Sequence, residues 1–297
     1  MQTAKAILQL IRFPNLIFIG LTQWLCYDCI IRPALMAKAS MPWQHVTLLI
    51  VSTILIAAAG YIINDYFDIK IDEINKPEKV IIEKIFKRRT IITWHILLNV
   101  IAMAIAGYLA LKYVLLRVVI LQLLIIISLI IYSTTLKRKL ISGNLLISLL
   151  TTFTLICMAL YEPKFKLFTL DDIYKYLFWL YCVFAFMITF IREVIKDAED
   201  LKGDMMLQCK TIPLVWGIDG SKKIVYGLIF ILLSIESFLF FYLENKTWIY
   251  ILAFGTFLPI ISLIPFLIKA NTSKHFNQIS AALKIITLLG ILSMLFL

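Results

Sequence analysis

The segment from Thr90 to Leu136 contains only two charged residues, Lys112 and Arg117. As a single α-helix it would be about 70 Å long, more than twice the hydrocarbon thickness of a bilayer, which is about 30 Å. The segment must therefore fold into two apolar helices joined near Lys112 and Arg117. Apolar helices of this length are typical of membrane spans, so the sequence predicts a helical hairpin within a membrane.

The composition of the whole chain agrees with this segment. Of the 297 residues, 62% are hydrophobic and 16% are charged, and the mean hydropathy is +0.93. Soluble domains are close to half apolar and one quarter charged, so these values exclude a soluble globular protein, a disordered chain and a secreted disulfide scaffold. We expect an all-α, polytopic membrane protein that forms a single domain over residues 1–297.

Apolar runs separated by charge clusters predict nine membrane-spanning helices, each close to the 20 or so residues that a span requires. The predicted spans are 14–34, 45–67, 91–111, 115–135, 142–162, 174–194, 223–243, 247–268 and 279–297.

Lys and Arg residues are divided unevenly between the two ends of these spans. Nineteen of them lie on the side that holds the N-terminus, and six lie on the opposite side. Because cytoplasmic loops carry the excess of positive charge, we expect a cytoplasmic N-terminus and a C-terminus on the far side of the plasma (inner) membrane of a bacterial cell. The net charge of +11 is then mainly an orientation signal, and we expect no nucleic-acid partner.

The first of two acidic clusters lies at the cytoplasmic end of the second predicted span. Asn64, Asp68 and Asp72 are spaced i, i+4 and i+8, and Asp65 follows Asn64 directly. On a helix that continues through this segment, the three evenly spaced side chains share one face.

The second acidic cluster lies at the cytoplasmic end of the sixth predicted span. Glu193, Asp197, Asp200 and Asp204 are spaced i, i+4, i+7 and i+11, so a continuous helix would again carry them in one stripe.

Acidic side chains on one helix face repel each other, and the partial negative charge of a helix C-terminus adds to the repulsion. Mg²⁺ takes oxygen ligands and is commonly held by one or two carboxylates together with substrate phosphates. Two such stripes on the same membrane face suggest two metal-binding walls around one diphosphate. The alternatives are solvated acids balanced by nearby lysines, a secondary transporter, whose acids would lie near the bilayer midplane, and a structural membrane scaffold.

Both motifs resemble those of the UbiA superfamily of intramembrane prenyltransferases. Asn64-Asp65-x-x-Asp68-x-x-x-Asp72 matches the first Asp-rich motif of that family, and Asp197-x-x-Asp200-x-x-x-Asp204 resembles the second. The resemblance implies nine helices around a central cavity that opens to the lipid. It also implies Mg²⁺-dependent transfer of a prenyl group from a prenyl diphosphate donor, with membrane lipids around the protein.

The resemblance assigns roles to particular residues. The implied Mg²⁺ ligands are Asn64, Asp65, Asp68, Asp72, Asp197, Asp200 and Asp204, of which Asp68, Asp72, Asp197 and Asp200 are the expected catalytic residues. The expected substrate-binding residues are Asn15, Tyr61, Lys137, Arg138 and Asn144. Lys137 and Arg138 could instead belong only to the orientation signal, and Tyr61 to the core.

The first motif and its continuation to Lys79 look most like the digeranylgeranylglyceryl phosphate synthase branch, which transfers geranylgeranyl to the hydroxyl of a glycerol-phosphate lipid. Many relatives continue with an Arg-Pro-x-Pro-Ser-Gly stretch, where this chain has residues 79–83 as Lys-Val-Ile-Ile-Glu. The alternative acceptor is an aromatic quinone precursor of the 4-hydroxybenzoate or dihydroxynaphthoate type. Glu236 has no evident partner in sequence and could serve an acceptor site or bond to another helix.

Overall fold

The structure is a computed structural model, and it describes residues 2–35, 41–75, 77–162, 164–165, 172–242 and 245–297. Within these residues the regular elements are helices, with one isolated β-bridge between Ile82 and Phe86. The helices are α1 (Gln2–Leu10), α2 (Phe13–Ala34), α3 (Trp43–Asn75), α4 (Arg88–Tyr113), α5 (Leu116–Thr134), α6 (Ser142–Tyr161), α7 (Ile173–Glu199), α8 (Leu201–Met206), α9 (Ile212–Tyr242), α10 (Lys246–Lys269) and α11 (Ser273–Leu292).

Eight of the described helices are long and apolar enough to cross a membrane, namely α2, α3, α4, α6, α7, α9, α10 and α11. The prediction of an all-helical polytopic membrane protein is therefore confirmed. The remaining predicted span, 115–135, corresponds to α5, whose apolar stretch Val118–Thr134 is shorter than the others. With 19 residues, α5 is about 28 Å long, close to the hydrocarbon thickness, and a ninth span stays a prediction.

The predicted hairpin in the apolar segment is present as α4, a tight turn and α5. Val114 caps α4 in the left-handed conformation, with φ 57°, and the Leu115 N–H donates to Ala110 O at 2.8 Å. The turn uses only two residues, so α4 and α5 can lie antiparallel.

One compact unit comprises Met1–Lys137 and Phe153–Tyr176. Its centre is α3, which packs against α2, α4 and α5. Small residues allow this close packing: Ser52 Oγ donates to Ala102 O at 2.9 Å, and a Cβ atom at Gly60 would lie 3.0 Å from the Leu129 side chain. Small residues at helix contacts are a common feature of membrane bundles, where backbones approach closely.

The other compact unit comprises Arg138–Thr152 and Leu177–Leu297. Its core is formed by apolar side chains of α7, α9, α10 and α11, including the fully buried Val194, Leu232 and Ile260. Helix α9 begins 11 residues before the predicted span 223–243 and kinks at Gly217, whose φ of 72° and ψ of 173° favour glycine.

The end of α7 differs from the single acidic stripe that the sequence predicts. Helix α7 ends at Glu199, Asp200 leaves helical geometry with φ −93° and ψ 11°, and Asp204 lies on the separate short helix α8. The Asp200 N–H still bonds to Lys196 O at 2.9 Å, so the chain bends rather than reverses. Adjacent acids oppose the helix dipole, and Asp favours helix starts over helix ends, which explains the break.

Candidate active site at two acidic helix ends

The first acidic cluster lies on α3, which continues as a helix to Asn75. Asn64, Asp68 and Asp72 therefore share one face, as their spacing predicts. Asn64 and Asp68 are only 7% and 2% exposed, and Asn64 Nδ2 donates to Asp68 Oδ2 at 2.7 Å. Asn64 Oδ1 is buried and has no hydrogen-bond partner among the described residues. The cluster thus presents a buried oxygen that lacks a donor or a cation.

Lys137 is the cation that contacts this cluster. It follows α5 in the short 3₁₀ turn Leu136–Arg138, and its ammonium group forms an ion pair with Asp68 Oδ2. Burial by itself would lower the pKa of Lys137, but the charge of Asp68 beside it raises the pKa above its ordinary value. The predicted substrate-binding residue Lys137 and the predicted metal ligand Asp68 are therefore adjacent.

Arg12 connects the start of α2 to the same end of α3. It occupies a left-handed turn between α1 and α2, with φ 49°, and its Nη2 donates to Asp65 Oδ1 at 2.7 Å. Its guanidinium lies 5.0 Å from the centre of the Tyr61 ring, and Asn15 Nδ2 donates to Tyr61 Oη at 3.4 Å. Burial would lower the pKa of Arg12, but the neighbouring Asp65 raises it, so the site holds a second fixed cation.

A small pocket adjoins the first cluster. Asp65 and Asp72 line it together with Leu10, Ile69 and the segment 80–82. Residues 80–82 belong to the stretch 79–83, where this chain lacks the Arg-Pro-x-Pro-Ser-Gly sequence that many relatives have after the first motif. The departure therefore lies at the wall of the candidate site, next to two of the predicted metal ligands.

The second acidic cluster is organised around Asp197. Asn144, in the first turns of α6, donates from Nδ2 to Asp197 Oδ2 at 2.8 Å. Asp204 is only 5% exposed and Asp200 is half-buried between α7 and α8. The structure thus brings the predicted substrate-binding residue Asn144 into contact with a predicted metal ligand.

Arg192 lies on α7 about one and a half turns before Asp197. Its Nε is buried and has no hydrogen-bond partner among the described residues. The sequence motifs assign no role to Arg192, which directly precedes Glu193 of the second cluster. Its position in the last turns of a span was the available signal, because buried cations in membranes usually serve a function.

Arg138 contributes a backbone contact, since its carbonyl oxygen accepts from the Lys210 N–H at 2.8 Å. A role for its side chain in substrate binding stays a prediction.

A model of the UbiA prenyltransferase family matches residues 29–295, which include both acidic clusters. The chain belongs to the UbiA prenyltransferase family. It is therefore an integral membrane prenyltransferase. This excludes the alternatives of a secondary transporter and a structural membrane scaffold.

Several relatives of this UbiA prenyltransferase are digeranylgeranylglyceryl phosphate synthases. The one from Thermococcus onnurineus is 36% identical over 238 residues, which are 79% of this chain and 77% of the relative. The one from Pyrococcus abyssi is 28% identical over 299 residues, which are 98% of this chain and 96% of the relative.

Solved structures share the fold of this UbiA prenyltransferase. A digeranylgeranylglyceryl phosphate synthase structure aligns with a TM-score of 0.69 at 19% identity, covering 99% of this chain and 98% of that chain. A UbiA homologue from Archaeoglobus fulgidus, bound to DMAPP and Mg²⁺, aligns with a TM-score of 0.62 at 17% identity, covering 97% of both chains. At these identities the similarity establishes the fold alone.

The first cluster fits Mg²⁺ by the chemistry of its donors. All of its candidate ligands are oxygens, which Mg²⁺ prefers, and Asn64 Oδ1 is an unpartnered oxygen next to Asp68. In the described part of the chain, no three His, Cys, Asp or Glu side chains converge closely enough to hold a metal. In the metal-free structure, Arg12 pairs with Asp65 and Lys137 pairs with Asp68. These two cations neutralise carboxylates that are predicted metal ligands.

Proposed function

We propose that this UbiA prenyltransferase transfers a geranylgeranyl group from its diphosphate to the hydroxyl of a glycerol-phosphate lipid, with Mg²⁺ as cofactor. The single observation that carries the donor chemistry is the buried pair Asn64–Asp68, with an unpartnered amide oxygen and an adjacent lysine. A diphosphate with its Mg²⁺ needs this combination of hard oxygens and cations, whereas a hydrocarbon or an uncharged solute does not.

The acidic residues divide between two groups of metal ligands. Asn64, Asp65, Asp68 and Asp72 form one group, and Asp197, Asp200 and Asp204 form the other, with Asp68, Asp72, Asp197 and Asp200 essential for catalysis. When bound, Mg²⁺ neutralises charge on the diphosphate and so lowers the barrier to C–O cleavage. The all-oxygen character of both groups supports this assignment.

Cationic side chains complete the binding of the donor. Lys137 and Arg12 exchange their carboxylate partners for diphosphate oxygens when the donor and metal arrive. Arg192 supplies a further buried N–H, and Arg138 adds charge near the same membrane face. Asn144 orients Asp197, and Asn15 orients Tyr61, whose ring faces the developing allylic cation.

The reaction separates the prenyl group from diphosphate and joins it to the acceptor. The bond between C1 and the bridging oxygen breaks, and its electron pair leaves with diphosphate. The acceptor hydroxyl oxygen then bonds to C1 and loses its proton. Fixed cations around the leaving group stabilise its charge, which is the contribution this chain's residues make to the barrier.

The acceptor assignment draws on the relatives. Those described above are named as digeranylgeranylglyceryl phosphate synthases, and the first motif of this chain looks most like that branch. An aromatic quinone precursor finds no support among these relatives.

The proposed architecture has nine spans around a cavity open to the lipid, with α5 as the span of marginal length. The N-terminus and both acidic clusters face the cytoplasm, because the Lys and Arg residues concentrate on that side. We expect a reporter enzyme that works outside the cytoplasm, such as alkaline phosphatase, to be active when it is fused after Leu297. A reporter that works only in the cytoplasm should be inactive at that position. Activity of a cytoplasmic fluorescent reporter at that position would contradict the orientation.

An acceptor screen with labelled geranylgeranyl diphosphate tests the reaction. Purified protein with Mg²⁺ is incubated with a glycerol-phosphate lipid that carries one geranylgeranyl ether, with 4-hydroxybenzoate or with dihydroxynaphthoate. We expect transfer and diphosphate release with the lipid, and none after chelation of Mg²⁺. No diphosphate release with any acceptor would overturn the donor assignment, and transfer to an aromatic acceptor alone would overturn the lipid assignment.

Carboxylates outside the site provide matched controls. Asp68→Asn and Asp200→Asn are expected to abolish transfer, because each removes a charged ligand. Asp28→Asn breaks the local ion pair with Arg32, at 2.7 Å, and Asp219→Asn changes an exposed carboxylate on α9. Both controls should keep transfer. Full activity of Asp68→Asn or Asp200→Asn would remove the two-group metal site.

A further inference from the structure

Four exposed basic residues lie within six positions where the chain enters α4, namely Lys84, Lys87, Arg88 and Arg89. Arg88 Nε forms an ion pair with Glu83 Oε1 at 2.9 Å, and Lys84 Nζ donates to Pro77 O at 2.7 Å. Among the described residues, the side chains of Lys87 and Arg89 make no hydrogen bond or ion pair. These two cations are therefore available to a partner outside the chain.

Arg89 lies on the lipid-facing side of α4. Ile92, Ile96 and Val100 follow it at i+3, i+7 and i+11, so the four side chains share one face of the helix. The three apolar members of this face, which we call the apolar stripe, are 37%, 55% and 59% exposed. Exposed apolar side chains on a membrane span contact lipid chains. Arg89 therefore stands at the end of a stripe that acyl chains cover.

The length of α4 places Arg89 at the level of the lipid head groups. The exposed apolar side chains of the helix extend from Ile92 to Leu111. At 1.5 Å per residue this distance is about 28 Å, close to the hydrocarbon thickness of about 30 Å. Arg89 lies almost one turn beyond Ile92, and Lys87 precedes the first residue of the helix, so both lie outside the hydrocarbon. Cations at this level are attracted to anionic lipids.

The backbone before α4 forms a tight turn that positions the two cations. The Glu83 N–H donates to Phe86 O at 2.8 Å, and the Ile85 N–H donates to Ile81 O at 2.8 Å. Ile81 is buried, and the ring of Phe86 lies 4.9 Å from that of Trp94 on α4. Ile85 is exposed and adds an apolar contact next to the cations. The start of α4 thus offers charge and apolar surface side by side.

We propose that Lys87 and Arg89 bind the phosphate of an anionic membrane phospholipid, whose acyl chains follow the apolar stripe of α4. The guanidinium can bond two phosphate oxygens at once, and the ammonium group adds a point charge. A zwitterionic lipid carries its own cation, which the same two side chains repel, so we expect a preference for anionic lipids. The surface is separate from the prenyl transfer site and is tested without donor or Mg²⁺.

Photolabelling of the full-length protein in nanodiscs tests this surface. The probes are phosphatidylglycerol and phosphatidylcholine, each with a diazirine near the carboxyl end of one acyl chain, at equal mole fraction in a phosphatidylcholine bilayer. We expect the phosphatidylglycerol probe to label peptides that contain 89–100 about five-fold more than the phosphatidylcholine probe, as one cation at a lipid surface would give. The double variant Lys87→Gln/Arg89→Gln should reduce this ratio to less than two-fold. Lys87→Arg/Arg89→Lys should retain it, because both charges are kept.

Lys269→Gln/Lys274→Gln is the matched control, because it removes two exposed cations from a different loop. It should keep the wild-type ratio. Five other Lys and Arg residues remain in the loop of the Lys87/Arg89 variant, so its orientation in the membrane is expected to be kept.

Three outcomes would overturn the proposal. The first is equal labelling by the two probes in the wild type. The second is the same loss of preference in the control variant, which would show only an effect of the total charge. The third is stronger displacement of the phosphatidylglycerol probe by a single-chain glycerol-phosphate lipid than by unlabelled phosphatidylglycerol, because the surface would then bind the acceptor.

Discussion

The ammonium group of Lys137 lies against the carboxylate of Asp68, which also accepts a hydrogen bond from Asn64 at 2.7 Å. Asp68 is almost fully buried, and Lys137 supplies the cation that balances its carboxylate in the metal-free state. Lys137 thus stabilises the acidic cluster in the absence of substrate. The same ammonium group can bind the diphosphate when the donor is present.

Replacing Lys137 by Met is expected to destabilise the metal-free protein. A buried carboxylate would lose its cation, at a cost of about 2 kcal/mol, which is seen as a fall in Tm of several degrees. Mg²⁺ should raise the Tm of Lys137→Met more than that of the wild type, because the metal replaces the missing charge. The matched control is Lys139→Met, since Lys139 is exposed. Equal Tm values for both variants without Mg²⁺ would contradict this role.

Replacing Arg12 by Met is expected to raise the KM for the prenyl diphosphate about tenfold, because a charge-assisted contact to the donor is lost. Steady-state kinetics at saturating Mg²⁺ measure the change. Arg32→Met removes an ion pair of the same 2.7 Å length, with Asp28, and should leave the KM near the wild-type value. A similar KM for both variants would indicate that Arg12 only holds α2 against α3.

Asn144→Ala is expected to lower kcat/KM about tenfold, since Asp197 would lose the donor that fixes its orientation. Asn277→Ala is a close control: Asn277 Nδ2 donates to Glu199 Oε1 at 2.9 Å, in the same unit, and Glu199 is not one of the three aspartates of the motif. We expect Asn277→Ala to keep kcat/KM within two-fold. If the control lost as much activity as Asn144→Ala, the effect would be structural.

Gly60→Val is expected to lower the free energy of unfolding by about 2 kcal/mol, because even a Cβ atom there lies 3.0 Å from Leu129. Gly107→Val makes the same change in α4, where nothing lies within 4 Å of the new Cβ. Thermal unfolding in detergent should show a lower Tm for Gly60→Val than for Gly107→Val. The reverse order would mean that α3 and α5 do not pack as described.

The sequence alone was sufficient to predict the eight long apolar helices among the described residues, because a membrane span is a local property. Hydropathy over about 20 residues decides whether a segment can cross the bilayer, and residues 91–111 of α4 show this. The i, i+4 and i+8 spacing of Asn64, Asp68 and Asp72 likewise fixes their common face on α3. The same local rule failed at Asp200, where repulsion between acids and the helix dipole ended α7.

The partners of the acidic residues were decided only by the tertiary structure. Asp65 and Asp68 pair with Arg12 and Lys137, which are 53 and 69 positions away in the chain. Such pairs depend on which helices become neighbours, and hydropathy does not encode that choice. The unpartnered Oε2 of Glu236 is a further example, since its environment is set by four helices. The sequence therefore determined the membrane fold, and three-dimensional packing decided which charges are neutralised and which oxygens remain available.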